Sequence, residues 1–197
     1  MAAAPHDHNP PPTECDAADN RDCAADLWRI EPMPAGPIDD PLAFILAEHR
    51  RQREAAAILL MIADGELDRR GVGGLVRFLE TDFLRHLADE EEVLFPALRR
   101  ACPPADAIDG LTARLSEEHR QETSLGEDVI DILNGLLSGV ALSTSARKRL
   151  RHFSEHVRQH LALENAILLP IARVRLAPAD QKTLAAMLNE PRGANRD

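Results

Sequence analysis

The chain has 197 residues, of which 44% are hydrophobic and only 3% aromatic, with no tyrosine. This size suits one domain with a substantial core, and the abundance of Ala, Leu and Arg indicates packed helices rather than a β-sandwich or barrel. The formal net charge of -10 argues against a nucleic-acid partner, because a phosphate-binding surface needs clustered Lys and Arg.

Residues 1–39 predict a mostly irregular N-terminal extension. They are rich in Pro, Asp and Asn and show almost no apolar periodicity, a composition that cannot bury enough surface to order itself. Leu27, Trp28 and Ile30 form a small apolar group that we expect to dock on the folded domain. The start of this segment has no basic leader, and no window of the chain reaches about 18 apolar residues. We therefore expect a soluble, cytoplasmic protein without membrane contact.

The folded domain is predicted to begin with a helix near Asp40. Asp40 supplies an N-cap acceptor, and the proline that follows it presets the backbone for a first helical turn. Leu42, Ile45 and His49 then follow at helical spacing, and the helix is expected to end near Gly65.

A second helix is predicted after a flexible stretch at residues 71–74. Its inward positions recur at three- and four-residue steps from Leu75 and include Asp82, His86 and Glu90. We expect Pro96 to kink or loosen this helix and the Cys-Pro-Pro sequence that follows to end it.

Two further long helices are predicted in the second half of the domain. The third extends from about Asp106 to Leu137, where Gly139 supplies the stop. The fourth begins near Ser143 and is expected to place its periodic apolar residues, including Ile167, toward the core.

These elements together predict a single all-α domain. Residues 40–175 are expected to form an antiparallel up-down four-helix bundle, and residues 176–197 a short extra helix, at about residues 178–188, with a tail. The cysteines are odd in number and lack CxxC spacing, so they predict no disulfide framework: Cys15, Cys23 and Cys102.

The two halves of the predicted bundle repeat one pattern. Each half has a helix that carries one inward His, followed by a helix that carries His-x-x-x-Glu and then a proline at the same offset. The repeated residues are Glu48-His49-Arg50, His86, Glu90 and Pro96 in the first half, and Glu118-His119-Arg120, His160, Glu164 and Pro170 in the second.

Imidazoles and carboxylates at these positions predict a metal site. Residues four apart share a helix face, so each His-x-x-x-Glu pair points to one place in the interior, where unpaired ionised carboxylates are costly. Nitrogen and oxygen ligands without thiolate suit iron, manganese or zinc. Six ligands exceed one tetrahedral zinc and fit two ions, each bound by two His and bridged by two Glu. The predicted ligands are His49, His86, Glu90, His119, His160 and Glu164.

Several other polar positions near the predicted site are weaker candidates. Each lies within one turn of a predicted ligand. The sequence leaves open whether it is a further ligand, a partner of a ligand, or a residue with no part in the site: His156, Asp82 and Glu122. Glu91 and Glu92 are rotated about 100° and 200° from Glu90 on a helix, so we interpret both as pointing outward.

The second helix resembles the signature of the hemerythrin-like HHE cation-binding domain over residues 86–96, His-Leu-Ala-Asp-Glu-Glu-Glu-Val-Leu-Phe-Pro. Residues 160–170 form a similar but degraded copy, and the resemblance covers roughly residues 40–175. It implies a four-helix bundle that binds non-haem di-iron on the six residues named above. Oxygen-carrying hemerythrins have a second His four residues after the first on their third helix, whereas this chain has Thr123, which argues against reversible oxygen carriage.

The sequence leaves three functions open. The first is a protein with two carboxylate-bridged iron ions, or manganese or zinc, that binds or reacts with O2, peroxide or NO in sensing or detoxification. The second is a metal-storage or metal-responsive module without turnover. The third is a helical scaffold whose His and Glu residues form a hydrogen-bonded network. The expected partner of the first is a small diatomic molecule or a peroxide.

Overall fold

The structure, a computed structural model, describes residues 27–33 and 36–190 of the chain. Every regular element in these residues is helical and no strand occurs among them, which confirms the predicted all-α class. No helix in this part of the chain is long and apolar enough to cross a membrane. Cys15 and Cys23 lie outside the described residues, and Cys102 is a free thiol.

Helix α1 (Pro41–Asp64) begins and ends as predicted. The Asp40 carboxylate accepts hydrogen bonds from the backbone N–H groups of Leu42 and Ala43, at 3.1 and 2.9 Å. These bonds satisfy two N–H groups that have no partner inside the helix. Gly65 ends the helix at φ 108°, a left-handed conformation that favours glycine.

The second helical run (residues 69–101) begins earlier than predicted. It contains α2 (Arg69–Phe78), α3 (Leu84–Asp89) and α4 (Phe95–Ala101). The glycines at residues 71–74 are helical rather than a flexible stretch, because Asp68 caps α2 and accepts a hydrogen bond from the Gly71 N–H at 2.9 Å. A helix can therefore begin ahead of its first apolar residue when a good cap precedes it.

The apolar group of the N-terminal extension packs on the domain, as predicted. Trp28 and Ile30 lie against the core next to α2, although Leu27 is exposed. The close approach requires glycine at residue 71, since an added Cβ would lie 2.7 Å from the Trp28 ring. The backbone carbonyl of Glu31 accepts a hydrogen bond from the Arg51 side chain at 2.7 Å, which ties this segment to α1.

Single π-helical turns interrupt the second helical run and the fourth one (residues 144–175): Leu79–Phe83, Glu90–Leu94 and Glu164–Leu168. In two of them the backbone N–H of the following residue bonds the carbonyl five residues back, from Phe95 to Glu90 and from Leu169 to Glu164. Both of these turns come just before a proline, whose ring clashes with the turn before it. The expected loosening at Pro96 therefore takes the form of a π turn.

The second half contains α5 (Ile108–Leu137), α6 (Thr144–Leu163), α7 (Leu169–Arg175) and the short fifth helix, α8 (Pro178–Asn189). Helix α5 starts slightly later than predicted because a 3-10 turn, Pro104–Asp106, precedes it. Gly139, at φ 90°, follows its end, and Ser143 caps α6 by accepting a hydrogen bond from the Ala146 N–H at 3.1 Å.

Ile167 is exposed, which corrects its predicted inward placement. The π turn that starts at Glu164 holds more residues than an α-helical turn, so the face directed at the core moves to later residues. Leu168 and Leu169 are buried there instead.

Two hydrophobic clusters fill the interior, and each of the four long helical runs contributes to both. The first core cluster includes Leu59, Leu75, Leu133 and Phe153, and the second core cluster includes Ile45, Leu94, Leu115 and Leu168. Along α1 and α5 the chain passes from the second cluster to the first, and along the other two runs it passes from the first to the second. The predicted metal ligands lie where each run passes between the clusters.

Candidate metal centre

The structure brings the six predicted ligands together in the interior. One histidine comes from each long helical run, and each glutamate begins a π turn. None of the six is more than 4% exposed. Their donor atoms form two groups of four, each lying within 4.8 Å of one another: His49, His86, Glu90 and Glu164; and Glu90, His119, His160 and Glu164. The two groups therefore share both glutamates.

The Nε2 atom of every one of these histidines faces the shared carboxylates. In the first group, His49 Nε2 lies 3.5 Å from Glu90 Oε1 and 3.4 Å from Glu164 Oε2. In the second group, His119 Nε2 lies 3.3 Å from Glu90 Oε2 and His160 Nε2 lies 3.2 Å from Glu164 Oε1. Each carboxylate thus faces imidazoles from both halves of the repeat.

Several of these converging atoms have no hydrogen-bond partner among the residues that the structure describes. They are His49 Nε2, His86 Nε2 and both carboxylate oxygens of Glu90 and of Glu164. A buried polar atom without a partner costs about 1–3 kcal/mol, and native proteins contain few of them. Cations bound between the imidazoles and carboxylates would give these atoms partners, so the donor set fits metal ions.

The opposite nitrogen, Nδ1, of every ligand histidine is held by a hydrogen bond. His86 Nδ1 donates to Glu48 at 3.1 Å, and His160 Nδ1 donates to Glu118 at 2.9 Å. The other two Nδ1 atoms donate to the residue that directly follows a shared glutamate: His119 to Glu91 at 2.8 Å and His49 to Asn165 at 2.9 Å. Because these oxygens only accept, each Nδ1 carries a proton, which leaves Nε2 as the atom that would bind a metal. The Nε2 atoms of His119 and His160 lie 3.1 Å apart and share a hydrogen bond.

Sequence reasoning missed these four hydrogen-bond partners as functional residues. The signal was present, since a glutamate precedes the histidine in both Glu-His-Arg motifs. Glu91 was interpreted as outward, and the structure corrects this, because its carboxylate contacts His119 and also accepts a hydrogen bond from Ser116 at 2.8 Å. A side chain about 100° round the helix from Glu90 faces α5 rather than solvent. Glu92 is exposed, as predicted.

The three weaker candidates lie outside both groups of four. Asp82 is half-buried and pairs with Arg51, away from the shared carboxylates. His156 lies 3.9 Å from Glu122, measured from Nε2 to Oε1. Glu122 is fully buried, and neither of its carboxylate oxygens has a hydrogen-bond partner in the described part of the chain. Glu122 therefore lies close to the centre without belonging to the converging donors.

The carboxylates raise the pKa of three of the four converging histidines. Burial alone lowers these pKa values, but the neighbouring glutamates outweigh it. The pKa of His86 rises to about 9 through the Glu90 charge and the hydrogen bond to Glu48. The pKa values of His119 and His160 rise to about 11 and about 9, in both cases through Glu164 foremost. Without metal, protons hold these imidazoles and carboxylates together, and a bound cation would replace them.

Glu122 has the opposite perturbation to that of Glu90. Burial raises the pKa of Glu122 to about 7, against the opposing effects of His160 and His119. Burial also acts to raise the pKa of Glu90, but the charge of His86 and the facing imidazoles of His119 and His49 hold it well below its usual value. The centre thus holds the ionised carboxylate of Glu90 and, close by, the Glu122 carboxyl group, which is neutral in mildly acidic solution.

Comparison with known families gave one match. The family model of the hemerythrin HHE cation-binding domain matches residues 40–172, which contain all six converging residues and their four hydrogen-bond partners. Comparisons with curated protein sequences and with solved structures gave no match.

Proposed function

Because the chain belongs to the hemerythrin HHE cation-binding domain family, we propose that it binds two metal ions on its six clustered side chains. The observation that carries this proposal is the pair of four-residue groups that share Glu90 and Glu164. Each ion takes two imidazoles from one group, and the two carboxylates bridge the ions. The proposed ligands are those predicted from the sequence: His49, His86, Glu90, His119, His160 and Glu164.

Iron is the metal that we propose, with manganese or zinc as alternatives. Imidazole nitrogen and carboxylate oxygen suit all three ions, and the family resemblance favours non-haem iron. The charges also support a pair of cations. Both shared carboxylates are fully buried, and His119 and His160 each donate a hydrogen bond to a further carboxylate.

The proposed activity is binding or reaction of the centre with O2, peroxide or NO, in sensing or detoxification in the cytoplasm. Six protein ligands leave coordination positions open on two ions, and open positions distinguish reactive from structural metal sites. Reversible oxygen carriage is not proposed, because Thr123 replaces a second histidine. Its hydroxyl donates a hydrogen bond to the His119 carbonyl at 2.9 Å and is directed at its own helix.

We also propose the antiparallel up-down topology for the four long helical runs. The support is the alternation of the core clusters, since consecutive runs pass between the two clusters in opposite directions. In this arrangement the repeat relates the first two runs to the last two by a pseudo-twofold axis through the centre. The bridging glutamates then lie near that axis.

Metal analysis tests the proposed centre directly. The purified protein is expected to hold two metal ions per chain and, if the metal is iron, to show near-ultraviolet absorption of a bridged ferric pair. The double variant His86→Ala/His160→Ala is expected to lose bound metal, because each group of four loses an imidazole. His152→Ala, at an exposed position on α6, is the matched control.

The same measurements separate the alternatives. Unchanged metal content in the double variant would rule out this ligand set. A protein that binds two ions but shows no repeated turnover with peroxide in stopped-flow experiments would be a storage or metal-responsive module. A protein without metal whose melting temperature is insensitive to chelators would be a helical scaffold.

A further inference from the structure

The hydrogen bonds to the ligand histidines follow the internal repeat except at one position. Glu48 and Glu118 occupy equivalent places, and both hold an Nδ1 atom with a carboxylate. Glu91 and Asn165 are also equivalent, because each directly follows a bridging glutamate and each holds the histidine of a Glu-His-Arg motif. The first is a carboxylate and the second is an amide, so the two halves of the centre differ here.

This difference changes the donor strength of one imidazole. A carboxylate that accepts the Nδ1 proton makes the ring more basic and its Nε2 a stronger ligand than a neutral amide does. Changes in such partners typically alter metal affinity by about 10- to 100-fold. His119 and His160 are both backed by carboxylates, whereas in the other group only His86 is.

The half of the centre that contains His119 and Glu91 lies nearest to a surface groove. A cavity of about 300 Å³ opens between the second helical run and α5, and its lining includes Leu87, Glu91, Ser116 and His119. His119 is the most exposed of the six ligands, and the Glu91 side chain is 34% exposed in this groove. An incoming cation would therefore meet a carboxylate and a ligand histidine together on this side.

From these two observations we propose that the metal positions are unequal: the His119 and His160 position binds its ion first and more tightly than the His49 and His86 position. The inequality rests on the proposed function and concerns the order and strength of binding at that same centre. Its origin is the one difference among the four Nδ1 hydrogen bonds, Glu91 in one half opposite Asn165 in the other.

Two steps of binding alone do not establish the inequality. Two identical positions that share bridging carboxylates would also fill in two steps, because the first cation repels the second. The deciding variants are those that make the two halves alike. Asn165→Asp gives His49 the carboxylate that His119 already has, and Glu91→Asn gives His119 the amide that His49 has.

The experiment uses Co2+ as the probe and the full-length protein loaded with two Co2+ ions. Stepwise removal by a competing chelator, followed by visible absorption, measures both affinities without requiring the metal-free protein to stay folded. Asn165→Asp is expected to strengthen the weaker affinity by at least about 10-fold, and Glu91→Asn to weaken the tighter one by a similar factor. Glu92→Gln, an exposed neighbour, is the control and should change neither.

Alanine variants identify which position is which. His49→Ala is expected to keep one tightly bound Co2+, and His119→Ala is expected to keep only a weakly bound one. The gain of affinity in Asn165→Asp is the sharpest readout, because a residue with only a structural role would lose affinity or stability on substitution.

Two contrary outcomes would refute different claims, one the metal centre itself and the other only the inequality. Wild-type protein that binds no Co2+ would refute the proposed metal centre itself. Wild-type protein that binds two ions, but in which Asn165→Asp leaves the weaker affinity unchanged or His119→Ala keeps the tight ion, would refute the inequality and leave the centre intact.

Discussion

Replacement of Glu122 by glutamine is expected to stabilise the metal-free protein, and to do so more at pH 8 than at pH 5. The Glu122 carboxyl is fully buried and has no hydrogen-bond partner in residues 27–33 and 36–190, so its ionised form is costly. Burial raises its pKa to about 7, despite the opposing charges of His160 and His119. Glutamine has nearly the same shape and never carries that charge.

The magnitude follows from the pKa shift. Between pH 4.5, the ordinary pKa of a glutamate, and about pH 7, the folded state keeps the Glu122 proton while the unfolded state loses it, so stability falls as pH rises through this window. Each pKa unit corresponds to about 1.4 kcal/mol, which gives a full cost of about 3 kcal/mol at pH 8 and about 1 kcal/mol at pH 5. The glutamine variant does not carry this cost, so the difference in unfolding free energy between the variant and the wild type should follow the same pH dependence.

Urea unfolding of both proteins at pH 5 and pH 8, after metal removal, provides the measurement. The difference in unfolding free energy between the two proteins isolates residue 122 from the other titrating groups. Glu127→Gln, at an exposed position on the same helix, serves as the control and should stay within about 0.5 kcal/mol at both pH values. A gain that does not change with pH, or a loss of stability at pH 8, would refute this account of Glu122.

Two further predictions concern the histidines and the start of the second helical run. Because the pKa values of His86, His119 and His160 are raised to about 9, 11 and 9, metal binding near pH 7 should release protons, and metal affinity should increase from pH 6 to pH 8. Calorimetry in buffers of different ionisation enthalpy measures that release. Metal binding without proton release would contradict the raised pKa values. Gly73→Ala should stabilise α2 by about 1 kcal/mol, since nothing lies within 4 Å of its added Cβ. Gly71→Ala should not, because its Cβ meets Trp28, and equal melting temperatures for the two variants would count against that contact.

The convergence of the six side chains could be predicted from the sequence because it depends largely on local geometry. His86 and Glu90 share a face whatever the helix packs against, and the second copy at His160 and Glu164 made the pattern specific. The start and end of α1 were predictable for the same reason, since a capping residue and a terminal glycine act on their own helix.

The remaining features depend on contacts between helices, which the sequence does not contain. The partners Glu48 and Glu118 reach histidines on other helical runs, and only packing determines that reach. The outward interpretation of Glu91 was wrong because α5 lies where solvent was assumed. The inward placement of Ile167 was wrong because a π turn changes which residues face the core. A prediction from 3.6-residue periodicity assumes a regular α-helix and does not include such a turn.

The hydrogen-bonded histidines explain how the six side chains can converge in the protein alone. Each ring is fixed at Nδ1 by a partner on a different helical run, so all four Nε2 atoms converge in the protein alone. The raised histidine pKa values and the lowered pKa of Glu90 mean that protons balance the buried carboxylates until cations replace them. Metal binding then exchanges protons for cations in a site whose donors already face each other. Such preorganisation reduces the conformational cost of binding, because the donors need no rearrangement of the helices before they meet a cation.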